Sequence, residues 1–105
     1  MSETHLFQLQ ESALLATTLL KSMSNSNRLL ILCILIDKPG TTSGDLGQLT
    51  GLTPSATSQH LAKMREDGLI ESERVAQKVK YFIKNDAVKK VIATLKDIYC
   101  PEDFK

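Results

Sequence analysis

The sequence of 105 residues has no apolar run of about 18 or more residues, the length a helix needs to cross a bilayer. Its start, MSETHLFQLQ, lacks the basic segment and the apolar stretch of a secretory signal, so a cytoplasmic protein is expected. Cysteine is scarce: Cys33 and Cys100 stand far apart, which in a reducing compartment argues for packing residues or a redox pair and against a permanent staple. The only histidines are His5 and His60. No thiolate and imidazole cluster with metal-ligand spacing can be drawn, so no metal and no other cofactor is expected. Neither cysteine has a nearby histidine in sequence to activate it, and there is no Gly-rich anion cradle, so a thiol enzyme is not expected.

An excess of charge is missing too, since the net charge is +1. That excludes a strongly basic nucleic-acid binder and shifts attention to distribution. Residues 53–84 hold six Lys or Arg against four Asp or Glu, whereas residues 1–52 hold three against four. Any phosphate contacts must then come partly from backbone N–H groups, hydroxyls and helix N-termini. Internal repeats, low-complexity runs and linkers are absent as well, which predicts one domain over residues 1–105 with no room for a separate effector domain.

What is present is helical periodicity. Over residues 4–23, Leu6, Leu9, Ala13, Ala16, Leu19, Leu20 and Met23 predict an amphipathic first helix that needs a partner surface. The polar cluster Ser24, Asn25, Ser26, Asn27 breaks it and caps a second helix over residues 26–37. Its run LLILCILI is apolar on every side, so burial almost all round is expected. Lys38, Pro39 and Gly40 end it. Residues 42–50 then read as a short helix carrying Leu46 and Leu49 and closed by Gly51, and Thr53 and Pro54 open another that stops at Gly68. Beyond Gly68, LIESERV and VKYFIK flank Ala76, Gln77 and Lys78, which predicts a β-hairpin with a three-residue connection. Asn85 caps a last helix over residues 86–99 with a stripe of Val88, Val91, Ile92, Leu95, Ile98 and Tyr99.

The predicted fold is therefore mainly α with a small β-hairpin, a winged helix-turn-helix of five helices plus a wing. The stripes on the first and last helices are wider than one thin domain covers, which predicts a homodimer built on those two helices.

A recognition helix puts its N-terminal residues near base edges while its opposite face holds the core. At about 100° per residue, Thr57, Leu61 and Met64 face inward with His60 beside them, and Ser55, Ser58, Gln59 and Lys63 face outward. Gln59 suits adenine, the serines suit bases or phosphates, and Lys63 suits a phosphate. The wing adds Arg74, Gln77, Lys78 and Lys80 for the backbone or minor groove. The candidate set for double-stranded operator DNA is thus Ser55, Thr57, Ser58, Gln59, His60, Lys63, Arg74, Gln77, Lys78 and Lys80, with His60 readable equally as a hydrogen-bonded packing residue. Helix caps, a solvated helix face and a solvated hairpin tip would carry many of the same residues.

The stretch from SNRLLILCILI through LTPSATSQHLAKMREDGLIESERVAQKVKYFI resembles the ArsR-type winged-helix repressors, over roughly residues 10–100. Many of these sense metals through Cys-x-Cys on the helix before the recognition helix, or through His and carboxylate ligands on the last helix. Here the first region reads TTSGDLGQL and the last helix has no histidine, so the resemblance does not imply metal sensing. The placement of Cys33 in LLILCILI and Cys100 at the end of LKDIYC is similar to the dithiol branch of the family, whose members respond to sulfide or persulfide. That resemblance implies a repressor that leaves its operator when a low-molecular-weight persulfide joins Cys33 to Cys100 through a disulfide or longer sulfur bridge. The negative end of the last helix disfavours a Cys100 thiolate, so either Cys33 attacks first or a nearby cation such as Arg28 compensates. The alternatives are an ArsR-type repressor with non-sensing cysteines that responds to haem, an organometal or a metal, and a winged-helix protein-interaction module.

Overall fold

The computed structural model describes residues 2–100. In chain order its elements are α1 (Glu3–Met23), α2 (Ser26–Asp37), β1 (Thr41–Thr42), α3 (Ser43–Thr50), α4 (Pro54–Glu66), β2 (Ile70–Val75), β3 (Lys78–Ile83) and α5 (Asp86–Tyr99). Side-chain caps set the helix starts. Asn25 accepts from the N–H groups of Asn27 and Arg28, Thr42 from that of Asp45, Thr53 from that of Ala56, and Asn85 from those of Ala87 and Val88. Each such cap is worth about 1 kcal/mol. Gly51, at φ 75°, closes α3 in the left-handed conformation that glycine adopts without strain.

The core gathers Ile31, Leu32 and Leu35 of α2, Leu46 of α3, Leu61 and Met64 of α4, Ile83 of β3, and Val88 and Ile92 of α5. Leu69, Ile70 and Met23 complete it. The fold is a winged helix-turn-helix with five helices and a hairpin wing, as the sequence predicts.

Three details depart from expectation. The wing is a three-stranded sheet in the order β1-β3-β2, because Thr41 and Thr42 pair antiparallel with Tyr81 and Lys80. Gly40, at φ 86°, turns the chain into that strand and donates its N–H to the Tyr81 carbonyl at 2.8 Å. The hairpin connection has two residues rather than three, since Val75 pairs with Lys78. Ala76 takes φ 58° there, at the first central position, which type II′ hairpins normally give to glycine. Finally, α2 is not buried all round: Leu30 is exposed, and Leu29, Cys33, Ile34 and Ile36 are only half-covered. Helix α1 adds little cover to the domain, burying only Ser22 and Met23 and packing Leu19 against the core.

Candidate functional site

The helix-turn-helix depends on close approach of α3 and α4. A Cβ placed on Gly47 would lie 3.2 Å from the Thr57 hydroxyl, so glycine permits the contact. Thr57 is fully buried, and its hydroxyl donates to the Thr53 carbonyl at 2.8 Å. This corrects the sequence-based set: Thr57 packs the turn and cannot reach DNA. With Leu61 and Met64 it forms the inner face of α4, while Ser55, Ser58, Gln59 and Lys63 are exposed together on the outer one.

His60 is half-buried. Its Nδ1 accepts from the Arg28 Nε at 3.2 Å, and the same guanidinium donates to the Ser22 carbonyl at 3.1 Å. The ring is thus held by α2. Lys63 lies 3.3 Å from Asp67, whose carboxylate also accepts from the Ser22 hydroxyl at 2.6 Å. That hydroxyl, more than any other neighbour, holds the Asp67 carboxyl below its ordinary range; burial opposes it, and Lys63 and Arg28 add to the lowering. On the wing, Arg74, Gln77 and Lys78 are exposed. Lys80 is half-buried because it sits on the central strand, between Thr42 and Glu73.

A second site lies between α2 and α5. Leu29 and Cys33 from α2 face Ile92, Leu95, Lys96 and Tyr99 of α5, together with Cys100, around a cavity of about 220 Å³. Both cysteines are free and half-buried. Cys100 is the C-cap of α5, its N–H donating to the Lys96 carbonyl at 2.7 Å. The Lys96 ammonium donates to both carboxylate oxygens of Asp37 at 2.6 Å. Burial pushes the Cys33 thiol above its ordinary value; Lys96 opposes that shift, and Cys100 and Asp37 reinforce it.

The cation at the dithiol is therefore Lys96 and not Arg28, whose guanidinium is committed to His60 and Ser22. Sequence reasoning missed Lys96 and Asp37, although a signal existed. Asp37 stands four residues after Cys33 and Lys96 four before Cys100, so each is on its cysteine's helical face. Among the described residues, no group of three or more His, Cys, Asp or Glu is placed to hold a metal ion, and no single helix is long and apolar enough to cross a membrane.

Residues 25–72, from the α2 cap into β2, match the family model "Bacterial regulatory protein, arsR family". The chain is 60% identical to the HTH-type transcriptional regulator YgaV of Escherichia coli K12 over 93% of its own length and 99% of that protein's. A crystal structure of a predicted DNA-binding transcriptional regulator from E. coli superposes with TM-score 0.85 at 60% identity, covering 90% of this chain and 99% of that one. Reduced HlyU from Vibrio cholerae superposes with TM-score 0.84 at 40% identity, covering 89% and 97%. HlyU is described as a transcriptional activator. With this fold, this helix-turn-helix and 60% identity to YgaV over almost the whole of both chains, the chain belongs to the arsR family of bacterial transcriptional regulators, a non-enzymatic family.

Proposed function

We propose that this protein is a homodimeric DNA-binding repressor that releases its operator when a low-molecular-weight persulfide joins Cys33 to Cys100. The observation that supports this most is that two cysteines far apart in sequence, on α2 and at the end of α5, line one cavity with a cation in its wall. Reduced HlyU is a related protein whose described state names a redox form.

The chemistry balances with persulfide as oxidant. A cysteine thiolate attacks the outer sulfur of R–S–SH and expels RS⁻, leaving a protein persulfide. The second thiolate attacks its inner sulfur, expels HS⁻ and closes a disulfide. Two protein thiols and one persulfide thus yield one bridge, one thiol and one hydrogen sulfide. A second persulfide equivalent extends the protein persulfide by one sulfur, and closure on that chain gives a trisulfide.

On DNA, Ser55, Ser58 and Gln59 read bases, Lys63 binds a phosphate, and Arg74, Gln77, Lys78 and Lys80 track the backbone beside the wing. The bridge ties α5 to α2, and α2 holds the recognition helix through Arg28 and His60. A change at the dithiol can therefore reposition α4 against half-sites about 34 Å apart. Occupancy of an operator that overlaps a promoter blocks transcription.

The test is fluorescence anisotropy on DNA from upstream of the protein's own gene, using reduced protein before and after glutathione persulfide. Wild type should bind with strong salt dependence and lose at least about tenfold in affinity on treatment, roughly 1.4 kcal/mol, while Cys100→Ser should not. Tight binding that ignores persulfide would remove the dithiol reading and leave the repressor. No salt-dependent binding would favour a protein-interaction module.

A further inference from the structure

We propose that the Asp37 and Lys96 ion pair governs the reactivity of the dithiol cavity: the Lys96 ammonium draws a persulfide R–S–SH whose carrier group R is anionic, as in glutathione persulfide, and steadies the thiolate of Cys33, and Asp37 holds that charge back. This rests on the dithiol reading and adds to it the residues that set its rate and its preference for anionic reagents.

The cavity wall is largely apolar. Leu29, Ile92, Leu95 and Tyr99 offer an entering anion little to replace its lost hydration, and Lys96 is the only cation among the described lining residues. The pair is unequal in exposure. The Lys96 side chain is 19% exposed and that of Asp37 is 55% exposed, so the cation faces the protein and the carboxylate faces water. The ammonium is bonded to both oxygens of Asp37, and that bonding takes part of its field away from the sulfur. The groups facing Cys33 are thus Lys96, Cys100 and Tyr99 from α5 and Asp37 from its own helix. Of these, Lys96 favours the thiolate, while Asp37 and Cys100 oppose it. Lys96 exchanges no atom and no proton in the sulfur transfer. It lowers the cost of negative charge on Cys33 before attack and on the departing RS⁻ afterwards, which makes it a positioning residue.

Removing either partner breaks the same α2 to α5 link, so a merely structural pair predicts the same effect from both. The electrostatic role predicts opposite effects. In the Cys100→Ser background, where only Cys33 reacts, the rate of iodoacetamide alkylation is followed against pH for Lys96→Met, Lys96→Arg and Asp37→Asn, with thermal melts confirming that each variant is folded. Lys96→Met should move the profile to higher pH and slow alkylation at neutral pH by about tenfold, the loss of thiolate expected when the thiol titrates roughly one pH unit higher. Asp37→Asn should move it to lower pH and speed the reaction, and Lys96→Arg should restore the wild-type profile. Bridging by glutathione persulfide in the two-cysteine protein should follow the same order. Profiles that coincide, or that move alike for both losses, would overturn the inference even if persulfide still releases DNA. Profiles that split as expected, with operator affinity indifferent to persulfide, would uphold the pair and overturn the switch.

Discussion

Asp67 occupies an unfavourable position, the C-cap of the recognition helix, where the helix dipole repels a carboxylate. It is held by the Ser22 hydroxyl at 2.6 Å, backed by the Lys63 ammonium. Because the folded carboxyl lies below its unfolded value of about 3.9, its stabilisation is complete above that pH and is lost as pH falls through the lower folded value. Ser22→Ala should therefore destabilise the protein by about 1 kcal/mol at pH 7 in urea titrations, and the gap to wild type should narrow below about pH 4. A gap that stays constant with pH would mean the hydroxyl acts through packing. At this scale the helical period gave the inward and outward sides of α4 and set His60 at their border. It did not give the partner of His60, because Arg28 comes from a helix 32 residues earlier and no local pattern encodes that meeting. Thr57 shows the opposite failure: hydroxyls early in a recognition helix suit DNA, yet its angular position already put it inside, and the structure follows the angle.

Among the elements, the helices were legible because their caps are strong and local. Asn25, Thr42, Thr53, Asn85 and Gly51 sit at the observed boundaries. Strand β1 was not legible, since two residues cannot display a period of two and its pairing partner lies in the wing. The hairpin turn was misread because Ala76 takes a conformation that alanine seldom adopts. The α3 and α4 junction turns on Gly47, whose need for a missing side chain shows only in three dimensions. Gly47→Ala gains helix propensity of about 1 kcal/mol but drives a methyl against a hydroxyl that Thr53 pins in place. It should lower stability by about 1 kcal/mol overall in chemical denaturation. In a Thr57→Ala background the obstruction is gone, and the same change should become neutral or stabilising. Equal effects in both backgrounds would show that the contact does not limit the turn.

The whole molecule is longer than its size requires. Its radius of gyration is 15.7 Å, against about 13 Å for a compact chain of this length, and its long axis extends 54 Å. The excess is α1, whose Leu6, Phe7, Leu9, Leu14, Leu15 and Leu20 are all exposed, along with Ile98 and Tyr99 of α5. Leu15 and Leu19 of α1 line an open groove with Val91 of α5, so the two helices share one open surface, with Lys21, Arg28, Lys63 and Asp67 also in its lining. Apolar stripes too wide for one thin domain were readable from sequence, and here they form the surface a second copy would cover. Sedimentation of wild type should give a dimer mass, and Leu15→Glu, altering a side chain 74% exposed in the single chain, should give a folded monomer. Because two linked half-site contacts exceed one by about a hundredfold or more, the monomer should lose operator affinity by at least that factor while keeping its helix content. A wild-type monomer at micromolar concentration would leave α1 unexplained and the half-site spacing without meaning. A dimeric Leu15→Glu would place the two-fold axis elsewhere on the α1 and α5 surface.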